Sequence, residues 1–446
     1  MIEVKINGVQ YRLNGDNLTT EIIERREGIY NDYEGDIIIP DTVKFNEATY
    51  RVTSIGQKAF YCCKSLRSIT IPASVTSIGE DAFYHCSSLT AIKVAEGNTV
   101  YDSRENCNAL IHTATNTLIR GCQNTSIPNS ITSIGKRAFD GCTSLKSITV
   151  SDSVTSIGEE AFCCCESLKL ITILDSVKSI GYRAFYGCKS LTTIIMCDSV
   201  ISIGKEALNY CESLKSITIP ASVTSIGEDA FDGCSSLTAI EVAKGNTVYD
   251  SRENCNALIH TATNTLIRGC QNTSIPNSIT SIGKRAFNYC FSLKSITIPA
   301  RVTSIGEGAF DCCFSLKYIA LIDSVKTIGE YAFSRCESLK CITIPDSVRV
   351  ISRSAFDGCK SLRTITIPDS VKSIEDHAFE DCESLKHIFI PDSVVNIGSN
   401  VFNGCKLLYE IHYDGTVEQW RKITKHEDWG GWSLRYVYCY DGHVVI

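Results

Sequence analysis

The sequence contains no long uninterrupted apolar run and no excess of positive charge. Its apolar runs all fall short of the roughly 18 residues that span a bilayer, so we expect no membrane insertion. The 43 Lys and Arg residues are outnumbered by 50 Asp and Glu residues, which gives a net charge of −7. A protein that binds nucleic acid needs a basic surface, and we therefore expect no nucleic-acid partner.

An export signal is not visible at the start of the chain. The first residues, from Met1 to Lys5, show no basic segment followed by an apolar stretch, which is the pattern of a signal peptide. Two expectations stay open, namely a cytoplasmic protein or an exported one whose signal was removed.

The motifs of common enzyme classes are missing as well. The patterns HExxH, GxxxxGKS, GxxxxGKT and GxSxG do not occur, although each marks a frequent type of active site. The eight histidines are scattered, and His112 and His260 are copies of each other in two nearly identical segments. Neither copy can be a unique general base, so we expect a protein that is not an enzyme and has no cofactor.

What the sequence does contain is a unit of 23 residues that repeats along most of the chain. One copy is Leu66-x-x-Ile69-x-Ile71-Pro72-x-x-Val75-x-x-Ile78-Gly79-x-x-Ala82-Phe83-x-x-Cys86. Its last Ile, the repeat Ile, recurs at 55, 78, 134, 157, 180, 203, 226, 282, 305 and 328, and with altered neighbours at 351, 374 and 397. A fixed period of this length predicts a solenoid, in which each coil buries its apolar face against the next.

Each repeat divides into three parts. Residues 66–71 alternate apolar and polar side chains as a strand does, and Pro72 ends the strand because it lacks a backbone donor. Residues 75–78 predict a second short extended stretch. Residues 80–86 carry Ala-Phe and Cys at near-helical spacing and predict a single helical or 3₁₀ turn.

The regular repeats do not reach either end of the chain. We expect an N-terminal cap with a degenerate first coil over residues 1–50, a solenoid over 51–413 and a C-terminal cap over 414–446. Two of the intervals between repeat Ile residues are 56 residues long instead of 23. The extra residues predict inserted hairpins near 98–123 and 246–271.

The two end segments carry signals of their own. Asn7-Gly8 lies between two alternating runs and predicts a hairpin with a type I′ turn. All three tryptophans, at 420, 429 and 432, lie in the C-terminal segment. Tryptophan buries a large area, so we expect these residues to cover the exposed end of the solenoid.

Two blocks of the chain are nearly identical. Residues 68–139 and 216–287 differ only at Tyr84/Asp232, His85/Gly233, Lys93/Glu241 and Glu96/Lys244. The simplest explanation is a recent duplication within the chain.

Cysteine is abundant, with 24 residues. Thirteen of them lie eight residues after a repeat Ile: Cys63, Cys86, Cys142, Cys165, Cys188, Cys211, Cys234, Cys290, Cys313, Cys336, Cys359, Cys382 and Cys405. Free cysteine behaves as a small buried hydrophobe, so we interpret this row as a ladder in the core. A zinc site needs paired ligands, and we expect no metal because the adjacent Cys163, Cys164 and Cys165 point to different sides of an extended chain.

Four other cysteines flank the predicted hairpins. Cys107 with Cys122, and Cys255 with Cys270, can form disulfides if the protein is exported, since disulfides persist in oxidising compartments. The sequence leaves this pairing open.

The Ile-Pro, Ile-Gly, Ala-Phe and Cys positions of the repeat recur together and in register. This pattern resembles the BspA-like class of leucine-rich repeats over roughly residues 34–413. The long coil from Gly97 to Cys122 and the closing Gly415-Thr416-x-x-Gln419-Trp420 are also similar to pieces of such proteins. The resemblance implies an α/β leucine-rich-repeat solenoid that is β-rich, has short helical turns between strands, is curved and is capped at both ends. It also implies a secreted or surface protein that acts in adhesion or protein binding, and it carries no catalytic residues.

The outward face of the strands is the surface on which we expect binding. If Leu, Ile and Ile of the strand face inward, positions two, three and five of each strand face outward. Position five is usually Thr and position two is usually Lys or Arg, with acidic rows alongside. We interpret these opposite rows as a solvated face, and a polyanion site is the alternative.

Departures from these rows gather toward the C-terminal end. The candidate partner-binding residues are Phe389 and His412 at position five, Tyr318 and His387 at position three, and Tyr409 at position two. Aromatic groups in a polar surround are typical of a protein-binding hot spot. The alternative is that these side chains pack beneath the C-terminal segment.

Together these observations predict a non-enzymatic, monomeric scaffold that binds a protein ligand. We expect an adhesin-like protein at the cell surface or secreted, in contact with host or neighbouring-cell macromolecules. The alternative is an intracellular structural or regulatory solenoid.

Overall fold

The structure is a computed structural model that describes residues 1–24 and 33–446. Residues 25–32, which belong to the expected N-terminal cap, lie outside the described residues. The chain forms two compact units, one of Met1–Leu214 with Ser222–Phe231 and one of Lys215–Ala221 with Asp232–Ile446.

Short strands make up nearly all of the regular structure. The first nineteen are β1 (Ile2–Ile6), β2 (Val9–Asn14), β3 (Thr19–Ile22), β4 (Gly35–Ile38), β5 (Thr42–Phe45), β6 (Ala48–Ile55), β7 (Leu66–Ile71), β8 (Ser77–Ile78), β9 (Ala91–Val94), β10 (Tyr101–Asp102), β11 (Leu110–His112), β12 (Thr117–Arg120), β13 (Ser133–Ile134), β14 (Ser147–Val150), β15 (Ser156–Ile157), β16 (Leu170–Ile173), β17 (Ser179–Ile180), β18 (Thr193–Met196) and β19 (Ser202–Ile203). The others are β20 (Ser216–Ile219), β21 (Ser225–Ile226), β22 (Ala239–Val242), β23 (Tyr249–Asp250), β24 (Leu258–His260), β25 (Thr265–Arg268), β26 (Ser281–Ile282), β27 (Ser295–Thr297), β28 (Ser304–Ile305), β29 (Tyr318–Ala320), β30 (Thr327–Ile328), β31 (Val350–Ile351), β32 (Thr364–Thr366), β33 (Ser373–Ile374), β34 (His387–Pro391), β35 (Asn396–Ile397), β36 (Glu410–Asp414), β37 (Thr424–Lys425), β38 (Tyr436–Cys439) and β39 (Gly442–Val445).

Strands of successive coils pair in parallel at the repeat spacing. Ile148 of β14 pairs with Ile171 of β16, and Ser133 of β13 pairs with Ser156 of β15, each 23 residues further along. Equivalent side chains therefore stack in straight rows about 4.8 Å apart. The result in each unit is a β-solenoid, as the 23-residue period predicts.

The sheets follow from this pairing. In the first unit the strand orders are β1-β2-β3-β6-β5 with β8 on β6, then β4-β7-β9, β10-β11-β12-β13-β15-β17-β19-β21 and β14-β16-β18. In the second unit they are β20-β22, β23-β24-β25-β26-β28-β30, β27-β29, β31-β33-β35-β37 and β32-β34-β36-β38-β39.

The core of each unit consists of rows of identical residues. The repeat phenylalanines are buried and stack at centroid distances of 4.9–5.4 Å in the first unit and 5.0–5.9 Å in the second. The thirteen cysteines at the repeat phase of Cys165 are buried too. The Cys165 thiol, for example, lies 3.1 Å from the carbonyl oxygen of Phe139. The ladder interpretation of the thirteen cysteines is confirmed.

The prediction of helical turns within the repeats is wrong. Residues 80–86 form successive turns in which Asp81 (φ 57°) and His85 (φ 56°) are left-handed. In the coil that follows the insertion, Phe139 N–H donates to the Ala161 carbonyl of the next coil, while Asp140 N–H donates within the coil to Arg137. Alternation of local and inter-coil hydrogen bonds replaces the helical pattern, so helix is scarce in the described residues.

Helical structure occurs at three places in the described residues. Short 3₁₀ segments lie at Arg104–Asn106 and Arg252–Asn254, and one α-helix, α1, spans Val417–Lys422. Thr416 and Gln419 form a capping box that begins α1. No helix of the described residues has the length and apolarity that a membrane span requires.

Antiparallel strands extend the two long intervals. In the first, β11 pairs with both β10 and β12, and β12 then pairs in parallel with β13. The second long interval repeats this arrangement with β23 to β26. The four cysteines nearby, Cys107, Cys122, Cys255 and Cys270, are buried free thiols.

The end segments fold largely as their local signals predict. β1 and β2 form an antiparallel hairpin, and Asn7 (φ 49°) with Gly8 (φ 84°) has the positive φ values of a type I′ turn. Trp420 is 1% exposed and packs against Tyr413 and Trp429. Trp432 departs from the expectation because it is 89% exposed.

Candidate functional site

Three neighbouring strands of the second unit carry most of the candidate residues. β34, β36 and β38 pair in parallel, with Phe389 opposite His412 and His412 opposite Tyr438. Ile388, Ile411 and Val437 of the same strands are buried. Because side chains alternate along a strand, positions three and five of all three strands face outward together.

The position-five side chains form a continuous stacked row. The rings of Phe389 and His412 lie 5.1 Å apart at 22°, and those of His412 and Tyr438 lie 5.8 Å apart at 22°. Phe389 is 48% exposed and Tyr438 is 40% exposed. About half of the Phe389 side chain is therefore accessible, while its ring also stacks on His412.

The position-three side chains form a polar row beside the rings. Glu410 Oε1 lies 3.3 Å from His412 Nε2. A ligand atom from each of His387, Glu410 and His412 lies within 4.8 Å of the other two, so this set has the spacing of a cation site. The surface thus combines π faces with two imidazoles and one carboxylate.

The five predicted residues do not all lie together. Tyr409 directly precedes β36, is exposed, and lies beside the two rows. Tyr318 is 53% exposed but belongs to an earlier coil. Three coil steps separate it from His387, which at the strand spacing is roughly 14 Å.

Sequence reasoning missed two aromatic members of this surface and a histidine that packs against them. Tyr436, Tyr438 and His443 lie on β38 and β39 and contact one another, with the Tyr436 and His443 rings 5.7 Å apart and those of Tyr438 and His443 6.0 Å apart. The available signal was Leu434-x-x-Val437, which repeats the Leu-x-x-Ile start of a coil. We call Phe389, His412, Tyr438, His387, Glu410 and Tyr436 the aromatic face.

A second cluster lies in the first unit. The thiols of Cys163 and Cys164 are 3.6 Å apart, and a carboxylate oxygen of Asp140 lies within 4.8 Å of both. The expectation that adjacent cysteines point apart is wrong here, because left-handed Cys164 (φ 55°) lies in a turn and not in an extended strand. Burial raises the pKa of the Asp140 carboxyl, and the charges of His85 and Arg120 oppose that rise.

Comparison with known families gives a clear match. The family model for the BspA type leucine-rich repeat region matches residues 41–121, 118–238, 267–348 and 335–424. Together these ranges cover well over half of the chain.

Solved structures agree with the family match. A leucine-rich cell surface protein from Faecalibacterium prausnitzii is 30% identical, with a TM-score of 0.56 over 95% of this chain and 98% of its own. A leucine-rich repeat protein from Bacteroides ovatus is 30% identical, with a TM-score of 0.53 over 98% and 99% of the two chains. No curated protein matches the chain.

Proposed function

Because the chain belongs to the BspA-type leucine-rich repeat family, we propose that it is a non-catalytic scaffold that binds another protein through the aromatic face. The observation that carries this proposal is the stacked row of Phe389, His412 and Tyr438, which lies on the outer side of three parallel strands with Phe389 and Tyr438 exposed. Because the stacked rings are already held in place, a partner can bury their apolar area with little loss of side-chain entropy on binding.

The chemistry of the face favours a protein over other macromolecules. Aromatic residues surrounded by polar groups are enriched at protein-binding hot spots. Glu410 and the net charge of −7 disfavour a polyanion. The partner we propose presents apolar side chains against the rings and a hydrogen-bonding group near His387 and Glu410.

We also propose that the protein is monomeric, and that residues 1–50 and 414–446 cover the ends of a curved solenoid over 51–413. A buried tryptophan cluster around Trp420 supports a covering role for the C-terminal segment. Burial of the terminal apolar rows keeps them from pairing with other chains.

For location, we propose the cell surface or secretion, with an adhesin-like contact to host or neighbouring-cell macromolecules. The similar Faecalibacterium protein is described as a cell surface protein. The free thiols, including exposed Cys341, favour the second candidate, an intracellular interaction scaffold, because a reducing compartment preserves thiols. Immunolabelling of intact cells of the source organism separates these two locations.

The binding proposal is tested with paired variants of the full chain. Phe389→Ala with Tyr438→Ala removes both outer rings of the row, and we expect partner affinity to fall at least tenfold. The matched control is Phe291→Ala with Phe314→Ala, which removes another exposed ring pair stacked at 4.9 Å. Quantitative capture from host extracellular matrix and from source-cell lysate identifies proteins retained by the wild type and the control. Equal capture by both variants would overturn the proposal.

A further inference from the structure

Cys163, Cys164 and Asp140 form a compact cluster on the turn side of two adjacent coils in the first unit. The backbone links them, because Gly141 N–H donates to the Cys163 carbonyl at 2.9 Å. Asp140 and Cys163 occupy the same phase of successive repeats, so their side chains are neighbours in one row. Both cysteines are partly exposed, so an ion has a path to the thiols.

Asp140 is the most unusual member of the cluster. It is 1% exposed, and neither of its carboxylate oxygens accepts a hydrogen bond of normal geometry among the described residues. The Cys163 thiol is the donor that faces it. The neighbouring Arg120 is also buried, but its Nη2 donates to the backbone oxygen of Asp140 at 3.0 Å and not to the carboxylate. Buried polar groups are almost always hydrogen-bonded, so a buried carboxylate with no partner beyond a weak thiol donor is well placed to bind a ligand.

In the second unit the equivalent side chains bond to one another, although Asn288 Oδ1 stays without a partner among the described residues. Asn288 occupies the place of Asp140, and its Nδ2 donates to Asp232 Oδ2 at 3.2 Å. Asp232 in turn lies 3.4 Å from Nη1 of Arg268, the equivalent of Arg120. One copy thus has an internal amide–carboxylate–guanidinium chain, whereas the other has, beside two thiols, a carboxylate that neither an amide nor a guanidinium group bonds.

The differences between the duplicated segments concentrate at this place. Within 72 residues per block only four positions differ, and two of them are Tyr84 and His85. The His85 ring lies against Gly141, since a Cβ on that glycine would be 2.5 Å from His85 Nδ1. Just beyond the blocks, Cys163 corresponds to Asp311, so the second copy keeps only one of the two thiols.

We propose that Asp140, Cys163 and Cys164 bind one thiophilic divalent cation of the Zn²⁺ class. A tetrahedral zinc ion takes thiolate sulfur at about 2.3 Å, which places two coordinating sulfurs about 3.8 Å apart. The observed separation of 3.6 Å fits that requirement with little movement. Three protein ligands leave the fourth tetrahedral position to a water molecule.

The charges around the cluster support a divalent ion. The two thiols lose their protons on binding, so two thiolates and one carboxylate exceed a divalent cation by one negative charge. The buried guanidinium of Arg120 supplies the matching positive charge. The bound ion would join two successive coils, and it would stabilise the turn side of the first unit.

The test uses the full chain, reduced and stripped of metal with a chelator, and titrated with Co²⁺ and then Zn²⁺. We expect one equivalent of Co²⁺ with the absorption bands of tetrahedral thiolate coordination, and their loss when Zn²⁺ is added. Zn²⁺ should also raise the melting temperature. Cys163→Ser with Cys164→Ser should abolish the bands.

Two further variants make the outcome decisive. Asp140→Asn leaves both thiols in place and copies the residue of the second unit, and we expect affinity for Zn²⁺ to fall at least tenfold. Cys312→Ser alters the equivalent of Cys164 in the second unit and should leave the titration unchanged. Absence of thiolate bands in the wild type, or bands of full size in the double serine variant, would overturn the proposal.

Discussion

The guanidinium of Arg137 forms an ion pair with the carboxylate of Asp81, in which Nη1 donates to both oxygens at 2.9 Å and 3.0 Å. The two residues are 56 apart in sequence, so the pair closes the first long interval. The same guanidinium contacts Glu160 of the next coil and lies over the ring of Tyr84. This contact joins the coils on either side of the inserted strands, where the regular turn ladder is interrupted.

We expect Asp81→Asn to lower the free energy of unfolding by about 1–2 kcal/mol, because it weakens a partly buried charge-assisted pair. Asparagine tolerates the left-handed backbone at this position, so the change tests the charge and not the turn. Chemical denaturation measures the effect. Glu166→Gln, which removes an exposed pair with Lys189, should change stability by less than about 0.5 kcal/mol. Equal effects of the two changes would show that the closing pair has no special role.

Asp357 should make stability depend on pH. Burial, reinforced by the charges of Glu380 and Asp381, raises the pKa of Asp357 to about 6 from 3.8. The folded state therefore holds this proton more tightly than the unfolded state, so the contribution of Asp357 to stability falls as pH rises from about 4 to about 6. At neutral pH the buried carboxylate is ionised, and the free energy of unfolding is lowered by the full amount.

We expect Asp357→Asn to stabilise the protein at pH 7 by about 1 kcal/mol after allowance for solvent screening, and to have little effect at pH 4. Denaturation at several pH values measures this difference. The exposed Asp369→Asn is the matched control for removal of a carboxylate. A stabilisation by Asp357→Asn that is the same at pH 4 and pH 7 would contradict the assignment.

Trp420 and Trp432 provide a matched pair for the C-terminal segment. Trp420→Ala removes a fully buried ring that contacts Tyr413 and Trp429, and we expect a loss of about 3–5 kcal/mol. Trp432→Ala removes an exposed ring and should be nearly neutral. Thermal and chemical denaturation measure both. A small effect of Trp420→Ala would mean that the C-terminal segment does not support the coils.

The sequence predicted the coils because their determinants are periodic. Leu, Ile and Ile at fixed phase bury one side of the first strand in each regular coil, as in β7, and this separates the inward face of that strand from the outward one. Asn7-Gly8 predicted its hairpin for a local reason, since both residues adopt positive φ at little cost.

The turn side was not predictable in the same way. Asp81, His85 and Cys164 are left-handed although none is glycine. At Cys164 the backbone N–H donates to the Tyr186 carbonyl, one bond of the hydrogen-bond ladder between successive coils. The approach of Cys163 to Cys164 depends on this inter-coil ladder, and one repeat read alone cannot show it. Tyr438 belongs to the aromatic face because β38 continues the sheet beyond β36, and this pairing is not visible in the repeat pattern.

The aromatic face should contribute little to folding. Phe389→Ala with His387→Ala removes two exposed side chains at positions three and five of β34, and we expect the melting temperature to change very little while partner affinity falls. A large loss of stability with full affinity would instead support a packing role.

The most direct test replaces Phe389 with photo-crosslinking benzoylphenylalanine and, in a control chain, places the same residue at Phe314. Each full-length chain is irradiated with host extracellular matrix proteins and, separately, with lysate of the source cells. The account predicts a discrete protein adduct at position 389 that is missing at position 314. Adducts of equal yield at both positions, or none at position 389, would contradict it.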